Sequence, residues 1–495
     1  MSASSPVPHI PFDNSYARDL VDLYVDWQPA GSPSPRLIRL NAGLAEELGL
    51  DAQAMASPAG LAVLAGNQVP PGAHSLAQAY AGHQFGHFSP QLGDGRALLL
   101  GELIDRQGRR RDIAFKGSGR TPFSRGGDGL AALGPVLREY LLGEAMHALG
   151  IPTTRALAAV ATGGQVMRER LLPGAILCRV AASHLRVGTF EFFAARQDVE
   201  KTRRLADYAI ARHDPALADE PEPYAGLLDA VIRRQAALLA RWMGVGFIHG
   251  VMNTDNMTLS GETIDYGPCA FMEHYDPQAV FSSIDKGGRY AYGNQPAIAQ
   301  WNLARFAESL LPLIDADQDR AHERALALVH SFVPHYEREW RALQQAKLGL
   351  AGQGEAELAL AADLLVLLQN HAIDYTLAHR RLADAALGDE APLRELFGAA
   401  QPALQTWLSR WHELTRNSDA AARAQAMRRV NPIYIPRNHQ VEAALAAAVD
   451  AGDLAPFERL LQVLAQPFEE RVEDAVYAEP AAPAVTAGYR TFCGT

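Results

Sequence analysis

Apolar residues recur along this chain at two spacings, and the spacing changes near residue 200. Before it, short apolar runs bounded by glycine predict strands at 97–104, 112–116, 156–161 and 175–181. One helix interrupts them. Leu130, Leu133, Leu137, Leu141 and Ala145 fall on one face of it, and Gly150 with Pro152 stops it. After residue 200 the spacing is helical. Leu227, Val231, Leu238, Leu239 and Trp242 line a helix ending near Gly244 or Gly246. The stretch 250–268 reads as a loop with a short strand pair, followed by Ala- and Leu-rich helices at 297–315, 319–344, 355–382, 392–415 and 438–464.

The pattern predicts an α+β chain in four parts. A lead-in spans 1–74, with one helix at 39–50. A strand-rich part spans 75–195, a helical part 196–477, and an Ala/Pro-rich tail 478–495 reads as an extended strap. A small strand-rich lobe before a large helical lobe is the plan of kinase-like folds. No internal repeat is present.

Charge narrows the partners. Lys and Arg number 45 against 56 Asp and Glu, a formal charge of −11, so no basic face for nucleic acid is expected, although local basic patches can still hold phosphates. Three cysteines, Cys178, Cys269 and Cys493, exclude a disulfide scaffold. Residues 1–22 show no signal-peptide pattern and no run is long enough to span a bilayer, so a cytoplasmic, membrane-free monomer is expected.

The most informative stretch is His249-Gly250-Val251-Met252-Asn253-Thr254-Asp255-Asn256, followed by Asp265-Tyr266-Gly267. Kinases carry H-x-D-x-x-x-x-N and then a D-F-G-like triplet, in which the first Asp accepts the substrate proton and the Asn and later Asp hold metal. His249, Asn256 and Asp265 match, but Val251 stands at the base position. Hydrocarbon cannot take a proton. Asp255 is the nearest carboxylate able to replace it. Taken alone, Asp255-Asn256 reads equally well as a tight polar turn.

Other segments add weight in the right order. Lys116 ends a strand and Glu139 lies on the following helix, the pairing by which kinases place a phosphate-binding ammonium. Gly93-Asp94-Gly95-Arg96, Gly117-Ser118-Gly119-Arg120 and Arg125-Gly126-Gly127-Asp128-Gly129 could bring backbone N–H groups to a large anion, although each alone is first a turn. Arg179 and Arg186 suit bidentate phosphate binding, or equally a surface ion pair. His83 and His87 have zinc-like spacing, but Gly82 and Gly86 place them in a loop with a structural or phosphate-proximal role.

The segments YAGHQFGHFSPQLGDGRALLLGE (80–102), DIAFKGSGRTPFSRGGDGLAALGPVLREYLLGEAMHALGIPTTRALAAVATG (112–163) and GFIHGVMNTDNMTLSGETIDYGPCAFMEHYDP (246–277), with the YRTFCGT tail, resemble the selenoprotein O family, in particular its cysteine-containing bacterial members. The resemblance runs through nearly the whole chain. It implies a protein-kinase-like bilobal fold lacking the usual catalytic Asp, and transfer of AMP from ATP to Ser, Thr or Tyr hydroxyls of proteins, with ATP bound in a flipped orientation. It further implies nucleotide binding by Gly93, Gly95, Arg96, Lys116, Asp128, Gly129, Arg179, Arg186 and Asp265. Asp255 becomes the proton acceptor, Asn256 and Asp265 the ligands of Mg²⁺ or Mn²⁺, and Glu139 the partner of Lys116. Some eukaryotic relatives carry selenocysteine near the C-terminus where this chain has Cys493, so selenium chemistry is not expected. A redox pair of Cys269 with Cys493 is also suggested. Two rivals stay open on the residues alone: a phosphotransferase acting on a small hydroxyl compound, and a non-catalytic nucleotide-binding scaffold.

Overall fold

The computed structural model describes residues 7–352, 354–486 and 488–492. Its N-terminal half is built on one mixed-origin antiparallel sheet. In chain order the strands are β1 (Tyr24–Asp26), β2 (Arg36–Leu40), β3 (Leu76–Gln78), β4 (Gly82–Gln84), β5 (His87–Ser89), β6 (Ala97–Ile104), β7 (Arg110–Lys116), β8 (Ala131–Ala132), β9 (Arg155–Met167) and β10 (Leu171–Ala181). The sheet runs β1-β3-β6-β7-β10-β9-β2, with β8 added to β10, while β4 and β5 form a separate hairpin. Both ends of the sheet therefore come from the lead-in before residue 75. The predicted helix at 39–50 is corrected accordingly. Arg39 and Leu40 pair with Ala159 and Ala158 of β9, and the helix begins only after Asn41, whose side chain caps Leu44 N at 3.1 Å.

Register explains where the charged groups point. Lys116 and Ala114 lie two apart on β7, and Arg179 of β10 sits directly opposite Ala114. Alternation puts Lys116 and Arg179 on the same face. Ile113, Phe115, Ile176, Cys178 and Val180 fill the other face against the lead-in helices around Leu44, Met55 and Val63.

The helix Leu133–Ala148 covers the Lys116 face. A helix with one apolar stripe was expected, yet Arg138, Glu139 and Tyr140 are buried too. The cause is a third layer, because the C-terminal residues Ile433, Tyr434, Val441, Phe457 and Leu460 pack on its far side. Arg138 survives burial by donating to the carbonyls of Cys269 (2.5 Å) and Gly267 (3.1 Å).

The second half is helical, with its main core around Leu227–Trp242, Ala299–Leu310 and Phe190. Several helices read as single from periodicity are broken. The 319–344 stretch is Gln318–His330 and Phe332–Leu348, and 355–382 is Glu355–Asn370 and Tyr375–Ala385, split where Ala372 takes φ +50° and Asp374 caps the next helix. The 438–464 stretch breaks at Gly452, φ +67°. The strand pair placed inside 250–268 instead brackets it, as Phe247–Ile248 against Ala270–Phe271. The described part of the tail contains a short helix, Pro483–Thr486, and then returns to the loop after Asp265: Thr491 bridges Ser282, and its hydroxyl donates to the Pro268 carbonyl at 2.5 Å. No described helix is long and apolar enough to cross a membrane.

Candidate active site

Two strand cations, one helix acid and one loop acid meet at a single point. Lys116 Nζ lies 2.5 Å from Glu139 Oε2 and 2.6 Å from Asp265 Oδ1. Arg179 Nη1 donates to Glu139 Oε1 at 3.0 Å and to Asp265 Oδ1 at 2.9 Å. Arg186 approaches Asp265 Oδ2 at 3.8 Å, donates to the Asp255 carbonyl at 3.2 Å, and stands over the Tyr80 ring at 4.4 Å. Burial alone would raise the Asp265 carboxyl, but Lys116, Arg179 and Arg186 together hold it well below the usual carboxylate range. Asp265 is also in the left-handed region at φ +63°, a conformation that side chains other than Gly, Asn and Asp seldom adopt and that packing must maintain.

The 249–265 loop is pinned at both ends. His249 is fully buried, and its Nε2 bonds the Ile264 carbonyl at 2.9 Å, tying the loop's entry to its exit beside Asp265. Val251 is buried and brings only hydrocarbon. Asn256 turns its amide inward to the Val251 carbonyl at 3.0 Å. Asp255 is 8% exposed; burial raises its carboxyl to about 6, with Arg186 opposing. Its Oδ2 accepts from Gln84 at 3.2 Å, whereas Oδ1 is buried with no partner among the described residues. An orphaned carboxylate oxygen is costly and marks a place for a cation or a donor that arrives with substrate.

The β4–β5 hairpin covers Asp255, a role the sequence pattern did not reveal. His83 Nδ1 pairs with the buried Glu191, which also takes the Thr254 hydroxyl, and Thr254 Oγ1 accepts from His83 N at 2.7 Å. Phe85 N reaches Asn253 Oδ1 at 3.2 Å, where Tyr290 OH also donates at 2.6 Å. Of the two histidines it is His83 that clamps the 249–265 loop, in keeping with a structural role, while His87 lies exposed on β5. The only advance signal was the density of Gly, His and Gln in 82–87.

The remaining nucleotide candidates form a neighbouring loop cluster. Gly93, at φ +67°, packs on Phe123, where a Cβ would lie 2.3 Å from the ring; Gly129 packs on Gly119, with 2.1 Å left to its carbonyl. These glycines let the loops touch each other. Asp128 is engaged by Arg168 at 2.8 Å and caps Leu130 N at 3.0 Å, so it is not bonded to the Lys116 cluster. Arg96 is half-buried, and its guanidinium has no carboxylate partner among the described residues. Asp94, also missed, is buried and near enough to Arg186 and Arg179 to be stabilised by both, although burial still raises its carboxyl. Cys269 is buried with its thiol donating to the Tyr266 carbonyl at 3.3 Å, and burial pushes it up to about 11. Its expected partner Cys493 lies outside the described residues.

The profile of the family described as Protein adenylyltransferase SelO matches residues 7–465. This chain belongs to that family. A relative named Protein nucleotidyltransferase YdiU from Cereibacter sphaeroides is 64% identical over 485 residues, covering 98% of this chain and 99% of its own. Proteins of the same name from Methylorubrum extorquens (58% over 495 residues, 98% and 99% covered) and a Mycobacterium species (59% over 488 residues, 98% and 100% covered) are similar throughout. The chain is accordingly a nucleotidyltransferase, and its family implies ATP as substrate together with a divalent metal.

The donor set fits such an ion. Among the described residues no three His, Cys, Asp or Glu side chains converge as a ready-made cation cage. Mg²⁺ suits that, because it is commonly held by one or two carboxylates with substrate phosphates and water completing the shell. Asp265, held ionised by its cationic neighbours, has the hard oxygen chemistry such partial ligation needs, and so has the side-chain oxygen of Asn256, whose amide nitrogen is turned to the Val251 carbonyl.

Gly82 shows how tightly the hairpin fits. A Cβ there would fall 2.6 Å from Asp255 Oδ1. Gly82→Ala is expected to displace the Asp255 carboxylate and lower kcat by about 10²-fold, the cost of a misplacement of roughly 1 Å, with KM for ATP little changed. Steady-state kinetics check this; an unchanged kcat would mean the hairpin yields freely.

Proposed function

We propose that this enzyme transfers AMP from ATP to Ser, Thr or Tyr hydroxyls of proteins, with the triphosphate entering reversed relative to a protein kinase. The observation that carries the reading is a separation of roles. Cationic groups, Lys116, Arg179 and Arg186, crowd around Asp265, while the carboxylate with an unpartnered oxygen, Asp255, is bonded to none of them, meeting Arg186 only through its backbone carbonyl. The β- and γ-phosphates belong at the cationic end, which makes pyrophosphate the leaving group and turns the α-phosphorus toward Asp255. Gly93, Gly95 and Arg96 flank that end, and Asp128 and Gly129 act by fixing the glycine loops that shape it.

In this reading the acceptor hydroxyl oxygen attacks the α-phosphorus. The bond to the bridging oxygen of the β-phosphate breaks, pyrophosphate departs with the electron pair, and the hydroxyl proton passes to Asp255 Oδ1. Asp255 suits that task because burial has raised its basicity while Arg186 keeps an ionised form accessible. Lys116, Arg179 and Arg186 offset the charge that builds on the departing pyrophosphate. Asn256 and Asp265 would hold Mg²⁺ or Mn²⁺, which supplies further charge neutralisation when bound. Glu139 holds Lys116 and Arg179 in place.

The reading includes a kinase-like bilobal arrangement, with an N-lobe at 75–195 and a helical C-lobe at 196–477, flanked by the extension 1–74 and the tail 478–495. It is supported by the Lys116–Glu139 pair and by the order of His249, Asn256 and Asp265. A cytoplasmic location accords with the three-cysteine composition. Incubation with α- and γ-labelled ATP tests the central claim: label should reach protein from the α-position only. Protein labelled from the γ-position would replace the reading with an ordinary phosphotransferase.

A further inference from the structure

Arg179 is aimed by a line of buried groups that leads away from the nucleotide cluster. Its Nε donates to His184 Nε2 at 3.3 Å. That bond requires a lone pair on Nε2, so the imidazole proton must sit on Nδ1, and there Asp112 Oδ2 accepts it at 2.9 Å. The same oxygen takes the backbone N–H of His184 at 2.8 Å. Asp112 Oδ1 receives Arg212 Nη2 at 2.5 Å, and Arg212 Nη1 donates in turn to Glu102 Oε1. Glu102 closes the line with Ser15 Oγ at 2.8 Å and Tyr208 OH at 3.0 Å. His184, Asp112 and Glu102 are each buried to 4% exposure or less.

The effect on Arg179 is specific. Nε is held by His184 and Nη1 by Glu139 and Asp265, so two edges of a planar group are fixed. The remaining nitrogen, Nη2, has no partner among the described residues, and a rigid fork with one free edge suits a phosphate oxygen. Burial, with Arg179 and Arg186 adding to it, keeps the His184 imidazole below its ordinary basicity, against the pull of Asp112. The neutral ring that the geometry needs is thereby maintained.

We propose that His184 is a positioning residue for AMP transfer: held in its Nδ1–H form by Asp112, it locks Arg179 so that the free guanidinium edge meets the β- and γ-phosphates of ATP. This rests on the placement of the triphosphate at Arg179 argued above. His184 touches no reacting atom and acts only through Arg179.

The test is a set of variants in the full chain, each checked for folding by thermal melting, with KM for ATP and for a protein acceptor measured separately. His184→Leu removes the bond to Nε and is expected to raise KM for ATP about tenfold, the scale of one lost hydrogen bond to a charged group, while KM for the acceptor stays within about twofold. His184→Gln, whose amide can accept from Arg179 and donate to Asp112, should restore KM for ATP to within about threefold of wild type. Arg179→Ala should raise it further, and adding His184→Leu to that background should change nothing more, because the two act as one unit. Should His184→Leu not fold, His184→Asn takes its place, its amide being one methylene too short to span both partners. A folded His184→Leu or His184→Asn variant with wild-type KM for ATP, or additive effects in the double variant, would overturn the inference while leaving the phosphate site standing. An unchanged KM in Arg179→Ala would remove the phosphate site and the inference together.

Discussion

Asp265→Ala is expected to abolish metal-dependent AMP transfer, with a loss of at least about 10³-fold in kcat/KM, comparable to removing a preorganised electrostatic contact from a closed site. The carboxylate serves two ends at once. In the proposed reading it offers a hard oxygen to a divalent ion, and in the structure it pairs with Lys116 and Arg179 and faces Arg186. Alanine leaves Glu139 as the one carboxylate paired with Lys116 and Arg179, and leaves Arg186 with only the more distant Asp94 and Asp255. Breaking buried pairs in this way costs roughly 3–5 kcal/mol, so the free variant should also melt at lower temperature. A bound triphosphate brings the missing negative charge, so ATP without metal should still bind and should recover part of the lost melting temperature. Calorimetry with and without Mg²⁺ separates the two ends. Tight Mg²⁺-dependent ATP binding by the variant would show that the ion is held elsewhere.

How much of this site could be read before the fold was known depends on the range of the contacts involved. Lys116, Glu139 and Asp265 were legible because each closes or opens an element with its own signature: a strand end, a helix turn, and a loop that follows a buried histidine. Their meeting point required only that the order match a known arrangement. The β4–β5 hairpin was not legible as a cover for Asp255. Its strands are three residues long with no apolar alternation, and its purpose appears only in contacts from His83, Gln84 and Phe85 to residues 253–255 and 191, more than a hundred positions away. The same limit hid His184, an unremarkable residue in sequence until Asp112 and Arg179 are placed on either side of it.

The fold shows the same division. Amphipathic periodicity located most of the C-terminal helices but ran across their breaks at Ser331, at Ala372 and at Gly452, because a short turn leaves the apolar spacing almost in phase. Arg39 and Leu40 read as helix because their neighbours favour it. Pairing with β9 overrides that preference, since strand propensity is largely a statement about the neighbouring strand. The all-round burial of Leu133–Ala148 was hidden for a related reason: Tyr434, Val441 and Phe457, which cover its outer side, lie some three hundred residues later.

Asp255→Ala is expected to lower kcat by about 10²–10⁴-fold, the range for loss of a general base, while ATP binding persists. Binding persists because the groups assigned to the phosphates, Lys116, Arg179 and Arg186, contact the 255 position only through the Asp255 backbone carbonyl, which alanine keeps. A fall in kcat with little change in ATP affinity is the signature of an interaction made in the transition state. Val251→Asp then asks whether any carboxylate in the loop will serve. It restores the acid at the position where a kinase base meets a hydroxyl approaching the γ-phosphate. In the reversed geometry that phosphate is held by Arg179 and Arg186 at the far end, so the added acid faces no attackable phosphorus. Val251→Asp should neither rescue Asp255→Ala nor generate phosphoprotein, and its burial should instead cost stability, since a carboxylate entering a site 8% exposed finds no partner prepared for it. Intact-mass measurement of the acceptor reads the outcome directly, as addition of AMP or of phosphate. Phosphoprotein and ADP from either the wild-type protein or Val251→Asp would place the γ-phosphorus, not the α-phosphorus, at the acceptor.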